Sequence, residues 1–477
     1  MGSIKEDTLK GTKWSAIERF SVQGIQFLLG LIMARLLSPS DYGTVGMLAI
    51  FYAVSQTFID SGFSNALIRK VDRTEEDFST VFYVNIGIAI VCYCVLFSIA
   101  PWVADFFGIQ ILCPILRVQS VNLIINSLMG VQVAQLTINI DFKALAKRAM
   151  FATLVSGVVG VILAYWGFGV WALVYQSILS AIINLIFIWV YCRWYPKERF
   201  SRKSFNELFG FGSKLLASGL LHTIYLNLTT LIIGKYFSSK DLGFYTRGTQ
   251  LAQFPCNNIN SVLQRVTFPI LAKIQNEDEH LIRVYRKYIC MTSMIIFFVC
   301  TLLAALGNPI VRFLLTDKWA DAIIYLQIFS FAIMFDHICS INLNLLQVKG
   351  RSDLFLRLEI IKKTISVAIL FASIPFGVIG ICVSKIIYTQ IAVFINTYYT
   401  GKLFHLGYVT QLKDFIGFLL YSLLSCMPAY LLTFLDLSPI ITIILGCTLS
   451  MVIYYCILHN NPYMIELVDI AKTKVFE

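Results

Sequence analysis

Residues 81–100 read VFYVNIGIAIVCYCVLFSIA and residues 440–458 read IITIILGCTLSMVIYYCIL. Neither run carries a charge, and each reaches the roughly 20 apolar residues that a helix needs to cross a bilayer. Similar runs follow one another through all 477 residues. Lipid offers the backbone no hydrogen-bond partner, so runs of this length are held to helices that close their bonds internally. Only 14% of the residues are charged, against about 25% in soluble domains. The fold class expected is an all-α polytopic membrane protein.

Apolar periodicity divides the chain into about fourteen transmembrane helices, at 14–37, 43–62, 79–100, 114–136, 149–165, 170–192, 208–233, 245–270, 288–307, 320–345, 356–374, 377–400, 413–434 and 438–458. Lysine and arginine set the orientation. With both termini in the cytoplasm, 25 of the 38 basic residues fall on the cytoplasmic side and four on the other: Lys235, Lys240, Arg312 and Lys318. The net charge of +11 is therefore mostly a topology signal, and it implies no nucleic-acid partner. Loops on both sides are short, which places function among the helices.

Chemistry-bearing motifs of enzymes are absent. There is no phosphate-cradling glycine loop, and the five histidines at 222, 280, 337, 405 and 459 are too dispersed for a metal site. The 12 cysteines lie mostly inside apolar runs and form no CxxC pair, as expected of buried thiols acting as small hydrophobes. No cofactor or metal is expected.

One sentence of the sequence is written twice. Residues 31–43 read LIMARLLSPSDYG and residues 231–243 read LIIGKYFSSKDLG, with Ser38/Ser238, Asp41/Asp241 and Gly43/Gly243 identical. The repeat relates helix 1 to helix 7, six spans apart, so both copies enter the membrane from the same side. That parity predicts two halves related by an axis along the membrane normal. A fainter echo relates helix 4 to helix 10, ILRVQSVNLIIN at 115–126 against YLQIFSFAIMFD at 325–336. The organisation expected is two pseudo-symmetric six-helix lobes, 1–195 and 196–405, followed by helices 13 and 14 with a cytoplasmic tail at 406–477.

Ionisable residues inside spans are functional candidates, since a bare charge in hydrocarbon costs from about 3 to more than 10 kcal/mol. Arg35 and Arg117 near outer ends, and Lys362 and Lys363 near an inner end, suit snorkelling to the interface. Others fall on helical stripes. Helix 1 carries Arg19, Gln23 and Gln26; helix 7 carries Lys214, His222 and Tyr225; helix 8 carries Asn257, Gln264 and Arg265. Such stripes either bond neighbouring helices or line a hydrated, cation-bearing cavity, with Lys385 deeper. The cavity is the reading preferred, and it suits an anionic, hydroxyl-rich substrate. Asp60, Asp336 and His337 are candidates for ion or proton coupling.

The opening GTKWSAIERFSVQGIQFLLGLIMARLLSPSDYGTVGML at 11–48, with SGFSNALIRK at 61–70, FPILAKIQ at 268–275 and LLQVKGRSDLFLRLE at 345–359, resembles Wzx-type lipopolysaccharide-biosynthesis flippases. These belong to the multidrug/oligosaccharidyl-lipid/polysaccharide exporter superfamily. The resemblance covers essentially the whole chain. It implies movement of an undecaprenyl-diphosphate-linked oligosaccharide from the cytoplasmic to the periplasmic leaflet of the bacterial inner membrane, by alternating access. It also implies contact with membrane lipid, with the lipid tail beside helices 13 and 14, and association with a polysaccharide polymerase and a chain-length regulator. Two other functions stand beside it. A drug or organic-cation antiporter of the same superfamily calls for an acidic cavity, whereas nine basic residues face four acidic ones within the spans. A polymerase or ligase calls for a large periplasmic loop.

Overall fold

The computed structural model describes residue 14, residues 21–60 and residues 62–475, the side chains of 261–266, 468 and 470–475 excepted. Among the described residues the chain is all helical. Among those residues ten helices are long and apolar enough to span a membrane, or eleven with one bent pair counted as a span. The chain is thus a multi-pass membrane protein. The sequence count of fourteen is higher because it includes one shorter and one more polar helix, and splits a helical stretch, 352–404, that passes as a single span.

The chain divides into two compact units, Met1–Gly243 and Phe244–Glu477. The first contains α1 (Ser21–Leu36), α2 (Pro39–Asp60), α3 (Phe63–Arg69), α4 (Glu75–Phe107), α5 (Leu112–Gln119), α6 (Val121–Ser127), α7 (Gly130–Ile138), α8 (Phe142–Tyr165), α9 (Val170–Cys192) and α10 (Arg202–Tyr236). Helix α11 (Ser239–Lys273) starts there and continues into the second unit. The second unit adds α12 (Asp278–Ala305), α13 (Gly307–Leu315), α14 (Ala322–Ile333), α15 (Asp336–Val348), α16 (Ser352–Ser373), α17 (Gly377–Phe404), α18 (Tyr408–Leu432), α19 (Pro439–Leu458) and α20 (Pro462–Val475).

Local chemistry sets the helix ends. Helix α4 starts earlier than apolar periodicity indicates because Thr74 and Asp77 cap it reciprocally. Asp77 N–H donates to Thr74 Oγ1 at 3.4 Å and Thr74 N–H donates to Asp77 Oδ2 at 2.9 Å. It ends at Gly108, left-handed at φ 70°. The SPSDYG stretch, expected to be a loop, is the cap and first turn of α2. Ser38 N–H and Oγ both donate to Asp41 Oδ2, at 2.9 and 2.6 Å. The second copy builds the same box ahead of α11, where Ser238 N–H and Oγ reach Asp241 Oδ2 at 3.2 and 2.6 Å.

In the first unit α10 runs along α2, and α8 packs along α9. The repeated glycines lie in helices, and neither has the positive φ that a turn glycine supplies. Close approach requires them instead. A Cβ on Gly43 would lie 1.7 Å from the Ser239 carbonyl oxygen, and one on Gly243 would lie 1.9 Å from that of Pro39. The phrase is written twice because its two copies pack on each other. Toward the opposite end of the seam Gly62 meets Gly212, where a Cβ on Gly212 would lie 2.9 Å from Gly62 backbone. There Lys70 Nζ bridges Asp77 and Glu207, each at 3.0 Å.

In the second unit α12 lies along α18, α18 along α19, and α16 and α17 form a hairpin. Phe297 is edge-on to Phe335 and Phe415, with centroids 5.2 and 6.0 Å apart. Below this layer Asn342, Thr400 and Gln411 are fully buried and satisfy one another. Gln411 Nε2 donates to the Leu406 carbonyl at 2.8 Å, Thr400 Oγ1 donates to Asn342 Oδ1 at 2.9 Å, and Asn342 Nδ2 donates to Gln411 Oε1 at 2.9 Å. Arg286 holds Asp414 bidentately, and Lys287 holds Glu466 of α20.

Helices 4 and 10, expected as single spans, are both interrupted, the first as a bent pair and the second within a stretch, 322–348, that still passes as one span. The first becomes α5, α6 and α7, with a 41° bend before α7. The second becomes α14 and α15, parted at Met334 and Phe335. Under the offset that aligns 115–126 with 325–336, the two breaks fall within about one turn of each other.

Candidate functional site

The break in the first unit is flanked by polar groups. Tyr52, Gln56 and Asp60 stand four residues apart on α2 and share one stripe. Asn126, two residues before the C-cap of α6, donates through Nδ2 to Tyr52 Oη at 2.9 Å and to Gln56 Oε1 at 3.4 Å. Gln56 hydrogen-bonds the Asp60 carboxylate, whose charge acts in turn on Tyr52. Asp60 is thus the exposed end of a four-residue polar chain. One turn away Thr57 Oγ1 and Thr223 Oγ1, 2.9 Å apart, tie α2 to α10.

Asp336 occupies the matching position of the second unit, since the same offset pairs it with Asn126. Its carboxylate feels the charges of Lys385 on α17 and Lys362 on α16. Lys362 pairs with Glu359 at 2.5 Å and is 6% exposed. That burial corrects the snorkelling expected of it: α16 lays Lys362 against its neighbours, so its stem has no route to an interface. Two lysines and two carboxylates make the group electrically neutral, which is how charge is tolerated inside a span. Lys385 Nζ also lies 4.7 Å from the Tyr388 ring centroid.

Asp336 and His337 are neighbours in sequence but not in environment. His337 is buried against α12, with Nε2 2.9 Å from Ser293 Oγ and its ring 5.5 Å from that of Phe297. Among the described residues the structure brings together Asp60 with Gln56 and Tyr52, and Asp336 with Lys385. It leaves Gln26, Lys214, His222 and Asn257 exposed, and Gln23 and Tyr225 half-buried. Lys214, Ser218 and His222 form one exposed face of α10, opposite the Thr223 face that meets α2. Arg19 lies outside the described residues, as do the side chains of Gln264 and Arg265. Lys362 and Asn126 were missed as site residues. The helix 4 to helix 10 echo held the signal for Asn126, since it places that amide opposite Asp336.

A polar group beside a helix break in an otherwise apolar bundle is a recurrent way of building a transporter site, because the break frees backbone groups to face a cavity. A family model described as "Polysaccharide biosynthesis protein" matches residues 32–324, more than half of the chain. The chain belongs to this polysaccharide biosynthesis protein family. Among its relatives, the teichuronic acid biosynthesis protein TuaB of Bacillus subtilis is 25% identical over 74% of each chain. The lipopolysaccharide biosynthesis protein WzxC of Escherichia coli is 24% identical over 90% of this chain and 86% of its own. In fold this family member is similar to the lipid II flippase MurJ in an inward closed conformation, with a TM-score of 0.71, 15% identity, and coverage of 94% of this chain and 99% of that one.

Proposed function

We propose that this polysaccharide biosynthesis protein is a flippase. It moves an undecaprenyl-diphosphate-linked oligosaccharide from the cytoplasmic to the periplasmic leaflet of the bacterial inner membrane, and both its termini are cytoplasmic. The observation that carries the reading is the placement of matching polar clusters inside apolar bundles, Asn126 beside the bend before α7 and Asp336 beside the turn between α14 and α15. A polar cargo must displace water along its path and needs such partners there. Support for the cargo class comes from the family match and from relatives named for teichuronic acid and lipopolysaccharide synthesis.

The cationic residues act on the diphosphate and the amides on the sugar. Arg19, Lys214, Arg265 and Lys385 supply positive charge, and Gln23, Gln26, Asn257, Gln264, His222 and Tyr225 supply donors and acceptors. Asp60, Asp336 and His337 are the coupling candidates, His337 with its Nε2 beside Ser293 Oγ and its ring edge-on to Phe297. The protein performs no covalent chemistry in this scheme. The basic surplus on one side carries the topology, and reporter fusions to each terminus test it.

The decisive experiment is deletion of the gene, followed by measurement of surface polysaccharide and of the sidedness of lipid-linked repeat units. Loss of polymer with units trapped on the cytoplasmic leaflet is expected. Units exposed to the periplasm in place of trapped ones point to polymerisation or ligation instead. Arg19→Ala and Lys214→Ala are expected to lower export with the protein still in the membrane; normal polymer in both variants overturns the cationic path.

A further inference from the structure

A second, separate site lies on the outer face of the first unit. Helices α8 and α9 pack closely and leave between them a groove of about 820 Å³, lined by Phe151, Ile183, Ile186, Phe187, Val190 and Tyr191 and closed at one end by Arg193. That volume falls within the roughly 300–1,000 Å³ typical of ligand pockets. Three of its apolar residues are well exposed, Phe151 at 55%, Ile186 at 57% and Val190 at 67%, while Ile183 and Phe187 are half-buried. The Phe187 and Tyr191 rings stack at 15° along one wall. The groove lies alongside two spanning helices, so the molecules that meet it are lipids.

Its mouth is built for an anion. Arg193 caps α9 at φ 48° and ψ 28°, the left-handed conformation that glycine ordinarily supplies at this position and that disfavours a Cβ. Its N–H donates to the Trp189 carbonyl at 3.1 Å, while its guanidinium is exposed and has no partner among the described residues. Lys147 stands one turn before Phe151 on the same face of α8, exposed and likewise without a partner among the described residues. Two free cations therefore flank the same end of the groove, the α8 start and α9 end. The carboxylate that caps α8, Asp141, is already engaged: Oδ2 accepts the Tyr191 hydroxyl at 2.8 Å and Oδ1 accepts Ala144 N–H at 3.1 Å.

We infer that this groove binds an anionic phospholipid of the cytoplasmic leaflet, with an acyl chain along Phe151, Ile186, Phe187 and Val190 and the headgroup phosphate between Lys147 and Arg193. The charge complementarity selects a phospholipid over a neutral chain, since cations beside an anionic leaflet hold lipid phosphate. A single phosphate matches two cations on one edge. The inference rests on the sidedness proposed above and is independent of the transported cargo.

Native mass spectrometry of the purified full-length chain tests it, with phosphatidylglycerol and phosphatidylethanolamine of identical acyl chains as probes. Retention of phosphatidylglycerol roughly tenfold above phosphatidylethanolamine is expected, at the usual worth of a cation beside an anionic leaflet. Lys147→Gln with Arg193→Gln removes the preference, and Ile186→Trp, which fills the groove and spares both cations, lowers retention of both lipids. Equal retention of the two lipids by the natural chain overturns the proposal, as does a preference that survives the double cation variant or a retention that Ile186→Trp leaves unchanged. Binding of glycerol phosphate as tight as that of phosphatidylglycerol overturns it too, because the groove then contributes nothing. Displacement of phosphatidylglycerol by undecaprenyl phosphate at equal concentration assigns the groove to cargo and overturns it as a phospholipid site. Failure of flipping with intact lipid retention counts against the flippase reading alone.

Discussion

Ser40 and Ser239, 199 residues apart in sequence, bring their hydroxyl oxygens to 2.7 Å. The contact sits where the first turns of α2 and α11 cross, with Gly43 and Gly243 beneath it on either side. Lys235, one turn earlier, hydrogen-bonds the Phe106 carbonyl at the end of α4 and lies 4.2 Å from the Phe106 ring centroid. A cation at a helix C-terminus is favourably placed. Within the first unit the repeated phrase is therefore a clasp, each copy supplying a capped helix start and a glycine that admits the other's backbone.

Gly43→Val is expected to open that clasp. Its side chain has no room against the Ser239 carbonyl, and overpacking of this kind costs about 1–3 kcal/mol. Short-linker crosslinking between Ser40→Cys and Ser239→Cys reads it directly, and the yield should fall roughly tenfold. An unchanged yield means the two turns do not touch.

Lys70 is expected to matter more than its partner Glu207. The Asp77 side chain is 1% exposed and that of Glu207 is 54% exposed, so loss of the ammonium strands one buried carboxylate. Lys70→Gln should cost about 2 kcal/mol in thermal unfolding and Glu207→Gln under about 1 kcal/mol. Burial pulls the Lys70 ammonium down, but the bonds to Asp77 and Glu207 outweigh it and hold it above the usual lysine range. The stabilisation is then complete below the unfolded value of about 10.4 and fades only as pH rises through the folded one. Equal costs for the two variants, or a loss of the Lys70 contribution between about pH 6 and 9, would contradict this.

The Asn342, Thr400 and Gln411 network is expected to behave as a unit. Gln411→Leu removes the Nε2 donor to the Leu406 carbonyl and the Oε1 acceptor of Asn342 Nδ2, at about 1–3 kcal/mol. Gln411→Leu with Asn342→Leu should cost less than the sum of the singles, because each single already breaks the bonds between them. Strict additivity in unfolding would show three independent bonds.

Asp336→Asn is expected to abolish export and to destabilise the second unit, since it leaves Lys385 and Lys362 facing only Glu359. Adding Lys385→Gln restores neutrality and should recover the protein level without recovering transport. Membrane abundance by immunoblot and surface polysaccharide separate the two effects. Export retained in Asp336→Asn would remove it from the coupling candidates.

The legible part of the fold was the part that local physics decides. Apolar run length specified spanning helices, and the Ser-x-x-Asp boxes at 38–41 and 238–241 are readable helix starts once recognised as caps. The helix 4 to helix 10 echo carried the relation between Asn126 and Asp336 without stating that both helices are interrupted there. Breaks depend on what neighbours supply: the Leu128 carbonyl at the first one is satisfied by Trp189 Nε1 at 2.9 Å, from a helix 61 residues away.

By itself the sequence determined an all-helical, multi-pass protein, because bilayer thickness and backbone satisfaction leave long apolar runs no other choice. Only the tertiary structure decided that Gly43 serves close packing and not turn geometry, that Asp336 and His337 face different neighbours, and that Lys362 is buried. Each of these depends on which surface another helix presents to that side chain, and pairing between helices distant in sequence is set by packing that no local pattern encodes.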